Sequence, residues 1–268
     1  MTESTLPMKE HDSVVAFYDQ LAPDFHLIFP NWERAIQNQG ELLKSLISSH
    51  VKTANPSVLD CSCGIGTQSL GLAMQGYRVT ATDISPEAIR RAEREARERR
   101  LPVEFAVADF RELGSQVGGT FDAVISFDNA LPHLLTNSDM KKVVWSIHSK
   151  LSPGGLFLAS IRDYDAAIKD KPKTTPPNEF SDNGLRRIVF QMWDWGADST
   201  YVLHQFILKD ETGKWTIEHQ ETVYRAWQRD ELTELLRLEG FREIRWLMPQ
   251  ETRFYQPIVA ARKSAETD

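Results

Sequence analysis

Cysteine is almost absent from this chain. Cys61 and Cys63 are the only two in 268 residues. They lie too close together for an ordinary structural disulfide and are too few to hold a metal unaided. Long apolar runs are missing as well, and no stretch approaches the ~20 apolar residues that a membrane helix needs. The opening MTESTLPMKEHD places acids and polar groups where a secretory signal would need an apolar run. We therefore expect a cytoplasmic chain with no membrane partner. An excess of positive charge is lacking too. Lys and Arg number 31 against 38 Asp and Glu, a net charge of -7, which disfavours phosphate backbones and leads us to expect no nucleic-acid partner. Internal repeats and low-complexity tracts are also missing. What remains is 41% hydrophobic and 26% charged, the balance of a packed globular chain long enough for one α/β core with an insertion.

Short apolar runs alternate with amphipathic stretches up to about residue 163, the pattern of parallel strands joined by crossover helices. Strands are expected at Ser57 to Asp60, Arg78 to Thr82, Val103 to Ala106, Phe121 to Phe127 and Leu156 to Ile161. Ile36, Leu42, Leu43, Leu46 and Ile47 form one helical stripe. Met140, Val143, Val144, Ile147 and Leu151 form another, with Ser138 as its cap. Ser85-Pro86-Glu87 places a capping hydroxyl before a proline at the first helical position. The basic-looking RRAEREARERR that follows pairs with itself, Glu93 with Arg97 and Glu95 with Arg99. Residues 169 to 184 read as a long loop that could close as a lid. Runs at Arg186 to Trp193, Tyr201 to Lys209 and Trp215 to Trp227 predict an antiparallel meander, and Asp230 is expected to cap a short helix ending at Gly240. Glu243 to Leu247 and Pro257 to Arg262 predict a terminal hairpin.

The segment Val58-Leu59-Asp60-Cys61-Ser62-Cys63-Gly64-Ile65-Gly66-Thr67 is a strand end, a small-residue turn and a helix start. Gly64 and Gly66 leave backbone open to a nucleotide or an amino-acid group, and the helix N-terminus offers free N–H donors. A dinucleotide fingerprint wants a third glycine three residues on, but here it comes at Gly71, two positions late. Asp83 ends the second strand, where a carboxylate can take both hydroxyls of a ribose; the plainer reading is an acid preceding a helix. Asp109 ends the third and could accept from an adenine amine, with Ile84 and Phe110 as apolar faces, or serve as a simple loop acid.

Together Asp60-Cys-Ser-Cys-Gly-Ile-Gly-Thr, Asp83, Asp109 and the terminal hairpin resemble the class I S-adenosylmethionine-dependent methyltransferases. Phe121-Asp-Ala-Val-Ile-Ser-Phe-Asp-Asn-Ala-Leu-Pro-His-Leu and Ile161-Arg-Asp-Tyr-Asp are similar to the glycine and sarcosine N-methyltransferase group. The resemblance implies an α/β, Rossmann-like, seven-stranded and mostly parallel sheet with an antiparallel C-terminal hairpin and an inserted antiparallel β meander. It implies S-adenosylmethionine as cofactor, with Gly64 and Gly66 beside the methionine moiety, Asp83 on the ribose, and Asp109 with Phe110 at the adenine. Asp60, Cys63, Ile84 and Phe127 complete the expected cofactor set. Ser62 departs from the usual glycine or alanine, and Thr67 from a frequent glycine.

Methyl transfer to a neutral amine is an in-line displacement governed by positioning and desolvation. Three catalytic candidates follow. Asn129 could accept from the incoming amine or hold a turn. His133 could take the released proton, with an ordinary pKa of ~6.5, or merely wall the pocket. Tyr18 resembles the family's tyrosine over the sulfonium, with a hydrophobic anchor as the alternative. By resemblance Arg162 grips an acceptor carboxylate, with Tyr164 beside it; otherwise it would pair with Asp163 or Asp165. Trp193, Tyr201 and Tyr224 either cage a methylated ammonium or pack the sheet.

The expected organisation is a lid segment over residues 1–30, a cofactor-binding core over 31–162 and 228–268, and an inserted subdomain over 163–227 covering the acceptor. The expected reaction is methylation of a small-molecule amine, glycine-like or otherwise amino-acid-like. An O-methyltransferase, a nicotinamide oxidoreductase and a non-catalytic adenosylmethionine-binding protein are the rivals. No metal is expected, and an oligomer is left open.

Overall fold

The computed structural model describes residues 10–182 and 184–265. Residues 1–9 of the expected lid segment, residue 183 and residues 266–268 lie outside the described residues. The chain begins with α1 (Glu10–Leu21), a 3₁₀ turn (Phe25–Ile28), α2 (Trp32–His50), β1 (Ser57–Asp60), α3 (Thr67–Met74), β2 (Arg78–Asp83) and α4 (Pro86–Arg99). Next come β3 (Val103–Val107), α5 (Leu113–Gln116), β4 (Phe121–Ser126), a second 3₁₀ turn (Leu131–His133), α6 (Asn137–Lys150) and β5 (Leu151–Ser160). After α7 (Tyr164–Asp170) four strands follow, β6 (Asn178–Asp182), β7 (Leu185–Trp195), β8 (Thr200–Glu211) and β9 (Lys214–Arg225). The chain closes through α8 (Arg229–Leu238), β10 (Phe241–Leu247), α9 (Pro249–Thr252) and β11 (Ile258–Lys263).

Seven strands form one sheet in the order β10-β11-β5-β4-β1-β2-β3. The first five strands of the chain run parallel, and β11 is antiparallel to both β5 and β10. This is the Rossmann-like sheet with a reversed terminal hairpin that was expected. Residues of β1, β4 and β5 pack on both faces, Leu59, Val124 and Phe157 with α6 on one side, Val58, Ile125 and Leu158 with α2 and α3 on the other. Burial on both faces is why these strands read as unbroken apolar runs. Connections run from β1 towards β2 on one side and from β4 towards β5 on the other, so a crevice opens at the carboxyl ends of β1 and β4.

The misplaced glycine has a packing role. A Cβ on Gly71 would stand 2.4 Å from the Ile36 carbonyl oxygen and 2.9 Å from Gly40 Cα, so α2 and α3 cross in backbone contact.

β6 to β9 make a separate antiparallel sheet in sequence order. It is tied to the N-terminal segment. Buried Arg187 on β7 donates to the carbonyls of Leu27, Phe29 and Pro30 at 2.8, 2.9 and 3.3 Å, and Lys209 on β8 reaches Asp24 at 2.7 Å.

Four local expectations change. Thr136 caps α6, accepting from Asp139 N at 3.1 Å, because the helix starts one residue before Ser138. Gln228 takes the start of α8, its N–H bonding Glu231 Oε2 at 3.0 Å, and Asp230 falls inside the first turn. Residues 169–184 are not a continuous loop, since β6 pairs with β7 there, Phe180 opposite Arg187. On α4 the Glu95–Arg99 pair forms, but Glu95 also takes Arg91 at 2.5 Å and Arg99 reaches Glu33; no Glu93–Arg97 pair forms among the described residues.

Candidate active site

A cleft of about 830 Å³, open mouth included, lies at the sheet's switch point. Its floor is the turn after β1. Gly64 and Gly66 adopt φ of 53° and 96°, which L side chains rarely reach, and Cys63 N bonds the Thr82 carbonyl at 2.9 Å. The turn is thereby clamped to the end of β2. Asp83 ends that strand, buried, with Oδ2 accepting from Gly64 N at 2.8 Å and Oδ1 from Ser85 N at 2.9 Å. Burial pushes its carboxyl up from the usual range and the two amides oppose that rise. Each oxygen keeps a second lone pair for a ligand hydroxyl.

Of the expected cofactor residues, Cys63, Gly64, Asp83, Ile84, Phe110 and Phe127 line the cleft. Asp60, Gly66 and Asp109 stand off the cleft wall, each with a visible cause. Asp60 is turned into the protein, accepting from Ser69 Oγ at 2.6 Å and Ser62 N at 3.4 Å, and burial pushes it up to about 7. It braces the turn against α3. Gly66 serves as the αL residue that starts α3, its missing Cβ relieving contact with Ala92 and Leu70. Asp109 is gripped by Arg111 through Nε at 2.9 Å and Nη2 at 2.6 Å, and it is the Arg111 side chain that reaches the cleft.

Phe25, Ser62, Thr67, Gln68 and Asp128 also line the cleft and were not anticipated. Gln68 donates to Asp128 Oδ2 at 2.8 Å and Tyr255 donates to Oδ1 at 2.5 Å. Asp128 and Asn129 sit consecutively at φ of 56° and 71°. The signal available in the sequence was an Asp-Asn pair directly after a strand, since these residues tolerate αL best.

Tyr18 and His133 close one end of the cleft. Their side chains share a hydrogen bond, Tyr18 Oη to His133 Nε2 at 2.9 Å. Burial, reinforced by the Arg162 charge, lowers His133 to about 3. His133 is therefore neutral at neutral pH and a weak base for the proton-acceptor role expected of it. Behind the pair, Tyr224 lies 4.3 Å from the His133 ring and Tyr201 lies 5.6 Å from Tyr224. Arg162 is at the centre of this group. It donates to Tyr201 Oη at 2.7 Å and Gln191 Oε1 at 2.9 Å, and its guanidinium lies 4.7 Å over Trp193 and 5.5 Å over Tyr224.

Asp163 and Asp165 pair with Arg229, at 2.7 and 3.3 Å, leaving Arg162 without a carboxylate partner among the described residues. The rings expected to cage a methylated ammonium lie instead against the chain's own Arg162. Asn129, at 2% exposure, is committed to the framework: Oδ1 accepts from Arg162 N at 3.0 Å, and Nδ2 donates to Tyr164 Oη at 3.0 Å. Tyr164 in turn bonds Tyr201 at 3.0 Å.

Residues 58–155 match a family described as Methyltransferase domain. Together with the fold, this match supports a class I S-adenosylmethionine-dependent methyltransferase. It is 29% identical over 193 residues to a glycine/sarcosine N-methyltransferase of Parasynechococcus marenigrum, a match covering 67% of this chain and 66% of that relative. A ubiquinone biosynthesis O-methyltransferase of Xanthomonas axonopodis pv. citri is 33% identical over 123 residues, 46% of this chain and 50% of the relative. A solved S-adenosylmethionine-bound amino pentose methyltransferase from Micromonospora echinaspora shares the fold with a TM-score of 0.69 at 18% identity, covering 85% of this chain and 92% of that one. The methyltransferase uses S-adenosylmethionine, and the cleft fits that group. Gly64 gives bare backbone where a Cβ would come within 3.2 Å of the Phe25 ring. Asp83 offers a buried acceptor for hydroxyls, and Ile84, Phe110 and Phe127 supply apolar walls. No helix among the described residues is long and apolar enough to cross a membrane.

Proposed function

We propose that this methyltransferase methylates the amine nitrogen of a small amino-acid-like acceptor, with Arg162 as the group that selects its carboxylate. The supporting observation is the guanidinium itself. It is enclosed by phenols, an amide and aromatic faces, with no carboxylate among the described residues to answer it. A half-buried charge held only by neutral oxygens is poised to exchange them for an anion in a forked pair of bonds. Similarity to a relative named as a glycine/sarcosine N-methyltransferase supports the same acceptor class.

The bound cofactor supplies the methyl on its sulfonium. Asp83 takes the ribose hydroxyls, and Gly64 with Cys63 approaches the methionine portion. Ile84, Phe110 and Phe127 enclose the adenine. Tyr18 and His133, which close that end of the cleft, would keep water from the sulfonium. With His133 neutral, Tyr18 points its hydroxyl along a fixed hydrogen bond. Among the described residues at the acceptor end none is placed to take the amine's proton, so the acceptor must enter as the free base. Asn129 acts through Tyr164 and the Arg162 backbone, fixing where the clamp stands. Oxygen acceptors, which need deprotonation during transfer, are disfavoured by the same missing base.

The test is an acceptor panel with methyl-labelled cofactor and mapping of the labelled atom. Glycine-like amino acids should be labelled on nitrogen, and matched amines without the carboxylate should react far more slowly. Labelling of phenols or catechols alone, on oxygen, would overturn the reading.

A further inference from the structure

The four-stranded sheet has a second face, turned away from the acceptor group. Tyr201, Leu203 and Gln205 of β8 point inward and are buried, so His204 and Phe206 between them point outward. Cross-strand register places Glu221 directly opposite His204, His219 opposite Phe206, and Asp194 one strand over. His204 Nδ1 lies 3.0 Å from His219 Nε2 and 3.3 Å from Glu221 Oε2, and one ligand atom of each residue lies within 4.8 Å of the others. We propose that His204, His219 and Glu221 form a binding site for a divalent transition metal, Zn²⁺ foremost, with water completing its coordination.

The geometry supports this on three counts. Two imidazole nitrogens bound tetrahedrally to zinc, at about 2.0–2.1 Å each, stand roughly 3.3–3.4 Å apart. The observed 3.0 Å therefore opens by a few tenths of an ångström, and the two imidazoles, 19° from parallel, turn to aim both lone pairs at the ion. The donor set, two imidazoles and a carboxylate, is the kind zinc takes when a solvent position stays open. Moreover, His204 already has the outer partner that metal-bound histidines usually have. Its far nitrogen, Nε2, lies 3.1 Å from Asp194 Oδ2, which sets Nδ1 as the unprotonated atom facing the site. The Phe206 ring, stacked on His219 at 4.6 Å, holds that imidazole in place from below. The Glu221 side chain is 63% exposed, so an ion enters directly from solvent. Bound there, it would join β8 to β9 and stiffen the sheet that carries Tyr201 and Tyr224.

The full-length protein, stripped with a chelator, is titrated with Zn²⁺ against a chromophoric competitor. We expect one tight site per chain and a melting temperature that rises with zinc. His219→Ala and Glu221→Gln should each weaken the site at least tenfold. Asp194→Asn, which leaves all three ligands, should weaken it by roughly 10–100-fold, the usual effect of losing an outer partner. His219 is exposed, so His219→Ala decides the matter even if substitutions at the less exposed His204 fail to fold. Equal zinc affinity in wild type and His219→Ala, or no zinc-dependent stabilisation of the wild type, would overturn the site. Methyl transfer without metal should be the same in wild type and His219→Ala, so this test stands apart from the acceptor assignment.

Discussion

The two ends of the cleft are built from different materials. The polar part of the cofactor end is backbone and one carboxylate from residues 60–85, with Phe110 and Phe127 added as apolar walls. The acceptor end is side chains from five distant places: Tyr18 on α1, Asn129 after β4, Arg162 after β5, and Tyr201 and Tyr224 on the second sheet. The first end is held by the sheet itself. The second depends on the N-terminal segment and the added sheet staying docked through Arg187 and Lys209. Cofactor binding should therefore be robust, and acceptor selection should be the property that substitutions remove most easily.

The sharpest separation should come from Arg162→Ala. Loss of a buried charge-assisted clamp costs about 2–5 kcal/mol, so kcat/KM for a carboxylate-bearing amine should drop at least thirtyfold. Cofactor affinity should change little, and neutral amines should be nearly indifferent. Equal losses on both acceptor types would remove the clamp from the account.

Next in size, Asp83→Asn should weaken S-adenosylmethionine at least tenfold by calorimetry, in line with ~1.5–3 kcal/mol for hydrogen bonds to a charged group. Its effect on acceptor discrimination should be small. Unchanged cofactor affinity would break the assignment of that end.

His133 yields a prediction about pH. Its folded pKa, about 3, lies below the unfolded ~6.5, so the unfolded chain binds more protons. Its contribution to stability is complete above pH 6.5 and is lost as pH falls towards 3. Between pH 6.5 and 5 that loss is about 2 kcal/mol. Denaturant unfolding of His133→Asn should show a shallower acid slope than wild type; parallel slopes would place His133 in water. The activity profile should show no inflection near 6.5.

The smallest effect expected is from Gly71→Ala, which should lower stability by about 1–3 kcal/mol through overpacking against α2. Kinetic constants measured below the melting transition should hold steady.

The same contrast explains what could be read from the sequence. Strand ends, the Gly64 turn and Asp83 were legible because hydrophobic period, glycine and capping signals all act within a few residues. Asp60 and Asp109 stand off the cleft wall for a shared reason. An acid at a strand end has the right position for a ligand, but Ser69 and Arg111, the partners that claim these two, compete through side-chain directions that periodicity does not encode. Local caps failed the same way, with Thr136 and Gln228 each starting a helix slightly earlier than the residue chosen. At the acceptor end, residue types were recognised but not their relation. Trp193, Tyr201 and Tyr224 look like a cage for a ligand cation until the fold places Arg162 inside it. His133 looks like a base until its burial is known. Strand β6 was hidden because its pairing with β7, not its own composition, makes it a strand.

A crystal structure with adenosylhomocysteine and a glycine-like amine bound together tests the central claim most directly. The account predicts ribose hydroxyls on Asp83 and the acceptor carboxylate on Arg162, with Tyr201 or Gln191 displaced from the guanidinium. An acceptor whose carboxylate points elsewhere while Arg162 keeps its present partners would contradict it.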